Sequence, residues 1–148
     1  MDNPAYLKTT TIADYFINEI DDWNHSIDFY LEELEELDEW LLEIRHSDLV
    51  APLDGTLEHH MSQLFFTRQV LLAKRREINE WEHRLYVDRL PLSNQSITPA
   101  MKERQKQLRD GMKDAELEIL ETKYSCDDFI ADMVSKRTPS RPTIRTSR

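Results

Sequence analysis

Residues 16–44 read FINEIDDWNHSIDFYLEELEELDEWLLEI. Large apolar side chains recur in this stretch at alternating steps of four and three residues. The series is Phe16, Ile20, Trp23, Ile27, Tyr30, Leu34, Leu37, Leu41 and Ile44. This spacing is the heptad pattern of a helix that packs lengthwise against other helices. The stretch therefore predicts one long helix whose apolar seam needs partner helices from the rest of the chain.

Two further seams supply those partners. The second recurs every seven residues, at Leu57, Leu64, Leu71, Ile78 and Leu85. The third again steps by four and three, through Met101, Gln105, Leu108, Met112, Ala115, Ile119, Thr122, Cys126, Phe129 and Met133. The predicted helices cover residues 11–46, 54–89 and 98–135, and their predicted N-terminal caps are Thr11, Asp54 or Thr56, and Thr98 before Pro99.

Short proline-containing connections separate the three helices, so neighbouring helices should run antiparallel. We therefore expect an all-α fold, a left-handed up-down-up bundle of three long helices with coiled-coil-like packing. In an antiparallel pair, the numbers of two residues that face each other have a constant sum. We expect this sum to be about 100 for the first and second helices and about 188 for the second and third. The outline is similar to spectrin-type three-helix units in architecture alone, because no family motif accompanies it.

Charge is distributed unevenly along the 148 residues, whose formal net charge is −10. Between Asp14 and Glu43 there are twelve acidic residues and no lysine or arginine. Residues 136–148 instead hold five of the 19 cations and no acid, which leaves 14 basic and 29 acidic groups in residues 1–135. We expect the acidic body to be repelled by nucleic acid and anionic membranes, and the basic tail to be disordered. Only that tail could bind nucleic acid, and weakly.

Composition excludes several functional classes. Two glycines are too few for a glycine-rich phosphate loop or a dinucleotide fingerprint, and one cysteine cannot form an internal disulfide. No apolar run approaches the length of a membrane span, and the start of the chain lacks the pattern of a signal peptide. We expect a cytoplasmic protein with no cofactor.

An acidic residue followed three positions later by histidine, as in carboxylate-bridged metal bundles, occurs three times. The pairs are Asp22/His25, Glu43/His46 and Glu80/His83. With Ile20 and Leu41 at heptad position a of the first helix and Ile78 at position a of the second, every acid falls at position c and every histidine at position f, which face solvent. We therefore predict neither a metal centre nor a catalytic residue. Cys126, the one thiol, lies on a seam, where cysteine is usually an inert small hydrophobe.

Polar residues occupy core positions of the second helix. The buried polar set predicted here is His60, Thr67, Lys74 and Thr122. Thr67 should meet Thr122, Lys74 should lie level with Asp114 or extend outward, and His60 should find a partner such as Asp128. Such groups either fix the register of the helices or line a metal- or ligand-binding pocket.

Apolar side chains also lie outside the seams, which indicates an interface. The predicted interface residues are Phe29, Phe65, Phe66 and Leu72. A contiguous exposed apolar patch usually marks a contact surface, most simply between two copies of the chain. We therefore expect a non-enzymatic interaction module that self-associates through the second helix or docks a partner helix. The alternatives are the metal- or ligand-binding bundle and an acidic regulator that docks a basic protein on its first helix.

Overall fold

Three α-helices make up the chain, and they pack against one another as an all-α three-helix bundle. The computed structural model describes residues 4–47, 55–88 and 97–137, with side chains at residues 12–47, 55–86 and 97–136. Helix α1 spans Pro4–Arg45, α2 spans Thr56–Asp88 and α3 spans Pro99–Arg137. The predicted disorder of the basic tail is wrong at residues 136–137, which belong to α3. The rest of that tail, a predicted cap at Asp54 and the predicted loop at 91–96 lie outside the described residues.

The N-terminal ends of the helices differ partly from prediction. Helix α1 begins at Pro4 rather than near Thr11, and proline suits a first helical position because that position needs no N–H donor. Helix α2 is capped by Gly55, whose carbonyl accepts from the His59 amide and whose φ is 95°. The Thr98 cap is confirmed, since its Oγ1 accepts from the Met101 amide at 3.1 Å.

The helical segments group into two compact units, and every helix contributes to both. Unit 1 comprises Met1–Tyr30 and Gln69–Leu117, and unit 2 comprises Leu31–Arg68 and Glu118–Arg148. The contacts in unit 1 establish helix directions. Asn24 hydrogen-bonds Asn79, and Arg75 pairs with Asp28, so α1 and α2 run antiparallel. Arg109 of α3 pairs with Glu19 of α1, and Tyr30 donates to Glu116, so α1 and α3 run parallel.

The register in unit 2 follows the same rule. Arg45 pairs with Glu58 across α1 and α2, and these residue numbers add to 103, as do those of both α1–α2 pairs in unit 1. Thr67 meets Thr122 across α2 and α3, where the numbers add to 189. The predicted values were about 100 and 188, so the up-down-up arrangement and its register are confirmed.

The heptad seams form the core of each unit. The buried residues of unit 1 include Phe16, Ile20, Trp23 and Ile27 of α1, Leu71, Ile78, Trp81 and Leu85 of α2, and Met101, Gln105, Leu108, Met112 and Ala115 of α3. Those of unit 2 include Leu34, Leu37, Leu41 and Ile44, then Leu57 and Leu64, then Ile119, Cys126, Ile130 and Met133. Tyr30 and Phe129 are only half-buried despite their seam positions. The Tyr30 hydroxyl reaches Glu116, and the Phe129 ring stacks on His60 while Ile130 takes the buried position.

Candidate functional site: an apolar face on unit 2

The exposed face of unit 2 between α1 and α2 is apolar. Phe65 is 64% exposed, Phe66 is 56% exposed and Leu42 is 37% exposed, while Met61 is half-buried. We call these four residues the apolar face. A hydrophobic side chain held in water costs about 1.5–3 kcal/mol relative to burial, so a cluster of them favours a covering partner.

Heptad positions explain why these residues share one side. Glu58 and Phe65 both occupy position b of α2, and the pairing of Glu58 with Arg45 shows that this position flanks α1. Leu42 at position b of α1 and Met61 at position e of α2 carry numbers that add to 103, like the observed pairs. Phe66 follows at position c and is also exposed. In unit 1 the same positions hold polar pairs, Asp28 with Arg75 and Asn24 with Asn79.

The two other predicted interface residues lie in unit 1. Phe29 is 52% exposed and packs edge-on against the Tyr30 ring, with centroids 5.6 Å apart. Leu72 is half-buried rather than exposed, although it shares heptad position b with the exposed Phe65. Exposure therefore supports Phe29, Phe65 and Phe66 as surface apolar residues and supports Leu72 less.

Sequence reasoning missed other exposed side chains. Leu117 is 65% exposed and Tyr124 is 63% exposed, both at the outward position f of α3. Trp40 of α1 is 45% exposed. The heptad frame applied to α3 would have identified the first two. Tyr124 lies one turn from the exposed acids Glu121, Asp127 and Asp128, whereas Phe65 lies one turn from the half-buried Met61 and next to Phe66 in the sequence.

Thr67 and Thr122 form the predicted polar pair inside unit 2. Their hydroxyl oxygens are 3.0 Å apart, with Thr67 fully buried and Thr122 8% exposed. His60, also 8% exposed, stacks on Phe129 at 4.6 Å between centroids. The predicted His60 partner, Asp128, is instead exposed. Burial, with a smaller effect of the neighbouring His59, holds the pKa of His60 below its ordinary value.

Lys74 extends outward, which is one of its two predicted arrangements, and it is half-buried rather than buried. Its ammonium pairs with Glu77 at 3.1 Å on its own helix rather than with Asp114. The side chain passes over Gly111 of α3, where an added Cβ would come within 2.7 Å of Nζ. Gly111 thus provides the space through which a core-position lysine extends to the surface.

A second polar cluster lies inside unit 1 around Gln105, which is fully buried. Its Oε1 accepts from Trp81 Nε1 at 2.6 Å, and its Nε2 donates to the Phe16 carbonyl and to Glu19. Arg109 donates twice to the same Glu19 carboxylate, at 2.5 and 2.9 Å. These bonds join all three helices at a single level.

Glu19 titrates abnormally within this cluster. Burial alone would raise the pKa of Glu19, but hydrogen bonds from Arg109 and Gln105 outweigh it and hold the pKa below 4.5. The resulting stabilisation is present above that ordinary value and is lost as the pH falls through the lowered one.

The acid-x-x-His pairs lie where the heptad frame predicts. Asp22, His25, Glu43, His46, Glu80 and His83 are all exposed. His25 and His46 also use Nδ1 to contact the carbonyl four residues earlier in their own helix, both at 2.8 Å. Within the described ranges, no three histidine, cysteine, aspartate or glutamate side chains converge as metal ligands would.

Cys126 is buried, and its burial, reinforced by Asp127 and Asp38, raises the pKa of its thiol to about 12. A thiol that stays protonated near neutral pH is a poor nucleophile. We predict that native protein at pH 8 reacts with a thiol reagent at least a hundredfold more slowly than unfolded protein. Mass spectrometry of the iodoacetamide adduct measures this, and comparable rates would contradict the buried placement of Cys126.

Comparisons with known proteins identify no relative: no family profile matches the chain, and no characterised protein or solved structure is significantly similar to it. Within the described ranges, none of the three helices has an apolar stretch long enough to cross a bilayer.

Proposed function

We propose that this protein is a non-enzymatic helical interaction module that self-associates through the apolar face of unit 2. The observation that carries the proposal is the exposure of Phe65 and Phe66, at 64% and 56%, beside Leu42 and Met61. Aromatic and methionine side chains are enriched at the centres of protein interfaces. A stable interface buries about 1,200–2,000 Å² in total, so these four residues would form its centre and surrounding polar residues its rim.

A second copy is the partner that the charges around this face favour. On its α1 side the face is flanked by the acids Glu35 and Asp38, and on its α2 side by Arg68. A twofold contact brings the same surface of each copy together, so that surface must be self-complementary. Opposite charges on the two sides of one apolar strip meet this requirement when the twofold axis runs parallel to the helices, because α1 of each copy then lies opposite α2 of the other.

The contacts of the polar core residues favour a structural role for them over a ligand site. His60 and Thr67 are seven residues apart on α2, about 10 Å along a helix axis, which is too far for one metal ion to bind both. The Thr67 hydroxyl is already paired with Thr122. Elemental analysis and native mass spectrometry of purified protein test the metal- or ligand-binding alternative, which requires a stoichiometric metal or small molecule.

The test of self-association replaces Phe66 with glutamate. Phe66→Glu puts a charge at the centre of the proposed contact, where it would be buried without a partner, so we expect the dissociation constant of the dimer to rise by at least a hundredfold. Light scattering coupled to size exclusion measures the effect as a fall in mass at fixed loading concentration.

The matched control is Tyr124→Glu, which places the same charge at an aromatic site of similar exposure on α3 of the same unit. We expect the Tyr124 variant to retain the mass of the wild-type protein. If both variants lower the mass equally, or if neither does, the apolar face is not the contact surface. Circular dichroism of each variant verifies that the helices remain intact.

A further inference from the structure

A second unpartnered surface of unit 2 surrounds Trp40 on α1. Glu36, Glu39, Trp40 and Glu43 line an open concavity of about 250 Å³. Trp40 is 45% exposed, and among the described residues no cation forms an ion pair with any of these three carboxylates. An exposed indole ringed by carboxylates provides what a guanidinium binds: an aromatic face for cation–π contact and oxygens for its N–H donors.

The end of α3, after which the sequence is basic, lies beside this surface. The ion pair of Glu33 with Lys123 sets α1 and α3 parallel in unit 2, and their residue numbers differ by 90. At that offset, Arg137, where α3 ends, is level with Ser47 just beyond the end of α1. Trp40 occupies the same heptad position, g, as Glu33, the position through which α1 faces α3. The end of α3 at Arg137 therefore lies on the side of α1 that carries Trp40.

Length and charge both fit this segment to the concavity. Residues 138–148 carry Arg141, Arg145 and Arg148 and no acid. The carboxylates lie about 6–17 Å back along the α1 axis from the level of Ser47, at 1.5 Å per residue. An extended chain advances about 3.3 Å per residue, so Arg141 and Arg145 lie within reach of the concavity.

We propose that residues 138–148 dock on the Trp40 surface of their own chain, with arginine side chains against the indole and the carboxylates of Glu36, Glu39 and Glu43. The contact neutralises part of the uncompensated charge of α1. It acts as an internal occupant that a basic partner protein would have to displace. This inference is independent of self-association, because it uses a different face of α1.

Disulfide trapping in the full chain tests the proposal. The paired variant Glu39→Cys with Ser140→Cys puts one thiol on the surface and one in the segment. The matched control is Ser62→Cys with Ser140→Cys, since Ser62 is an exposed outward residue of α2 at nearly the same level. Because Cys126 is buried, it does not compete. With oxidised glutathione as oxidant and the protein at low micromolar concentration, we expect the first pair to close within one chain about tenfold faster than the second.

Charge variants extend the test. Adding Arg141→Glu and Arg145→Glu, or raising the salt concentration to 0.5 M, should bring the two rates close together, because screening weakens exposed ion pairs. Equal rates for the two pairs in low salt would overturn the proposal. Crosslinks that form mainly between chains, at a rate that rises with protein concentration, would also overturn it and would assign the surface to the same segment of a second copy.

Discussion

Replacing Gln105 with leucine should destabilise the fold by about 1–3 kcal/mol, although leucine is the more typical core residue. The Trp81 indole N–H loses its acceptor inside unit 1, and the Glu19 carboxylate loses one of its donors. A buried donor without a partner has lost its hydrogen bonds to water and makes none within the protein. Chemical denaturation at fixed protein concentration measures the loss.

Two controls isolate the hydrogen bonds in that experiment. Gln107→Leu makes the same substitution at an exposed position of the same helix, and we expect a change within about 0.5 kcal/mol. Trp81→Phe should lower the free energy of unfolding less in the Gln105→Leu background than in the wild type, because it removes an indole N–H that has already lost its acceptor. A Gln105→Leu variant as stable as the wild type would mean that the cluster contributes no net stability and serves only to specify register.

The second large effect is a difference in stability between alanine substitutions at two adjacent leucines of α1. Leu41 is fully buried and Leu42 is 37% exposed. Leu41→Ala removes core packing and leaves a cavity, so we expect a loss of about 2–5 kcal/mol in the free energy of unfolding. Leu42→Ala removes a side chain from the apolar face, and we expect a loss below about 1 kcal/mol together with weaker self-association.

This pair of variants tests the assignment of each residue to core or surface. Denaturation is followed at a concentration where the chain is monomeric, so that association does not contribute to the apparent stability. Similar losses for both variants would contradict the placement of Leu42 on an outer face. A weak effect of Leu41→Ala would contradict the core.

The sequence was sufficient for the architecture because burial follows the heptad so regularly. Helix order, antiparallel register, the Thr67–Thr122 pair and the outward placement of the acid-x-x-His motifs all follow from one periodicity and two short loops. The start of α1 was wrong because cap residues compete: a favourable Thr11 does not exclude an earlier start at Pro4.

The polar contacts were harder to predict from the pattern. Periodicity gives the level of Lys74 but not the choice between Asp114 and Glu77, which depends on how a flexible side chain extends past Gly111. The pattern likewise places Gln105 in the core without indicating that Trp81, Phe16 and Glu19 satisfy it. The heptad position also does not fix exposure, since Leu72 is half-buried whereas Phe65, at the same position b, is exposed.

Sedimentation equilibrium of the wild-type protein over a wide concentration range tests the central claim most directly. The chain has a mass of 17.7 kDa. We predict a reversible transition from that mass to twice that value as concentration rises, with Phe66→Glu remaining at the lower mass throughout. A wild-type protein that stays at 17.7 kDa at every concentration would contradict self-association through the apolar face.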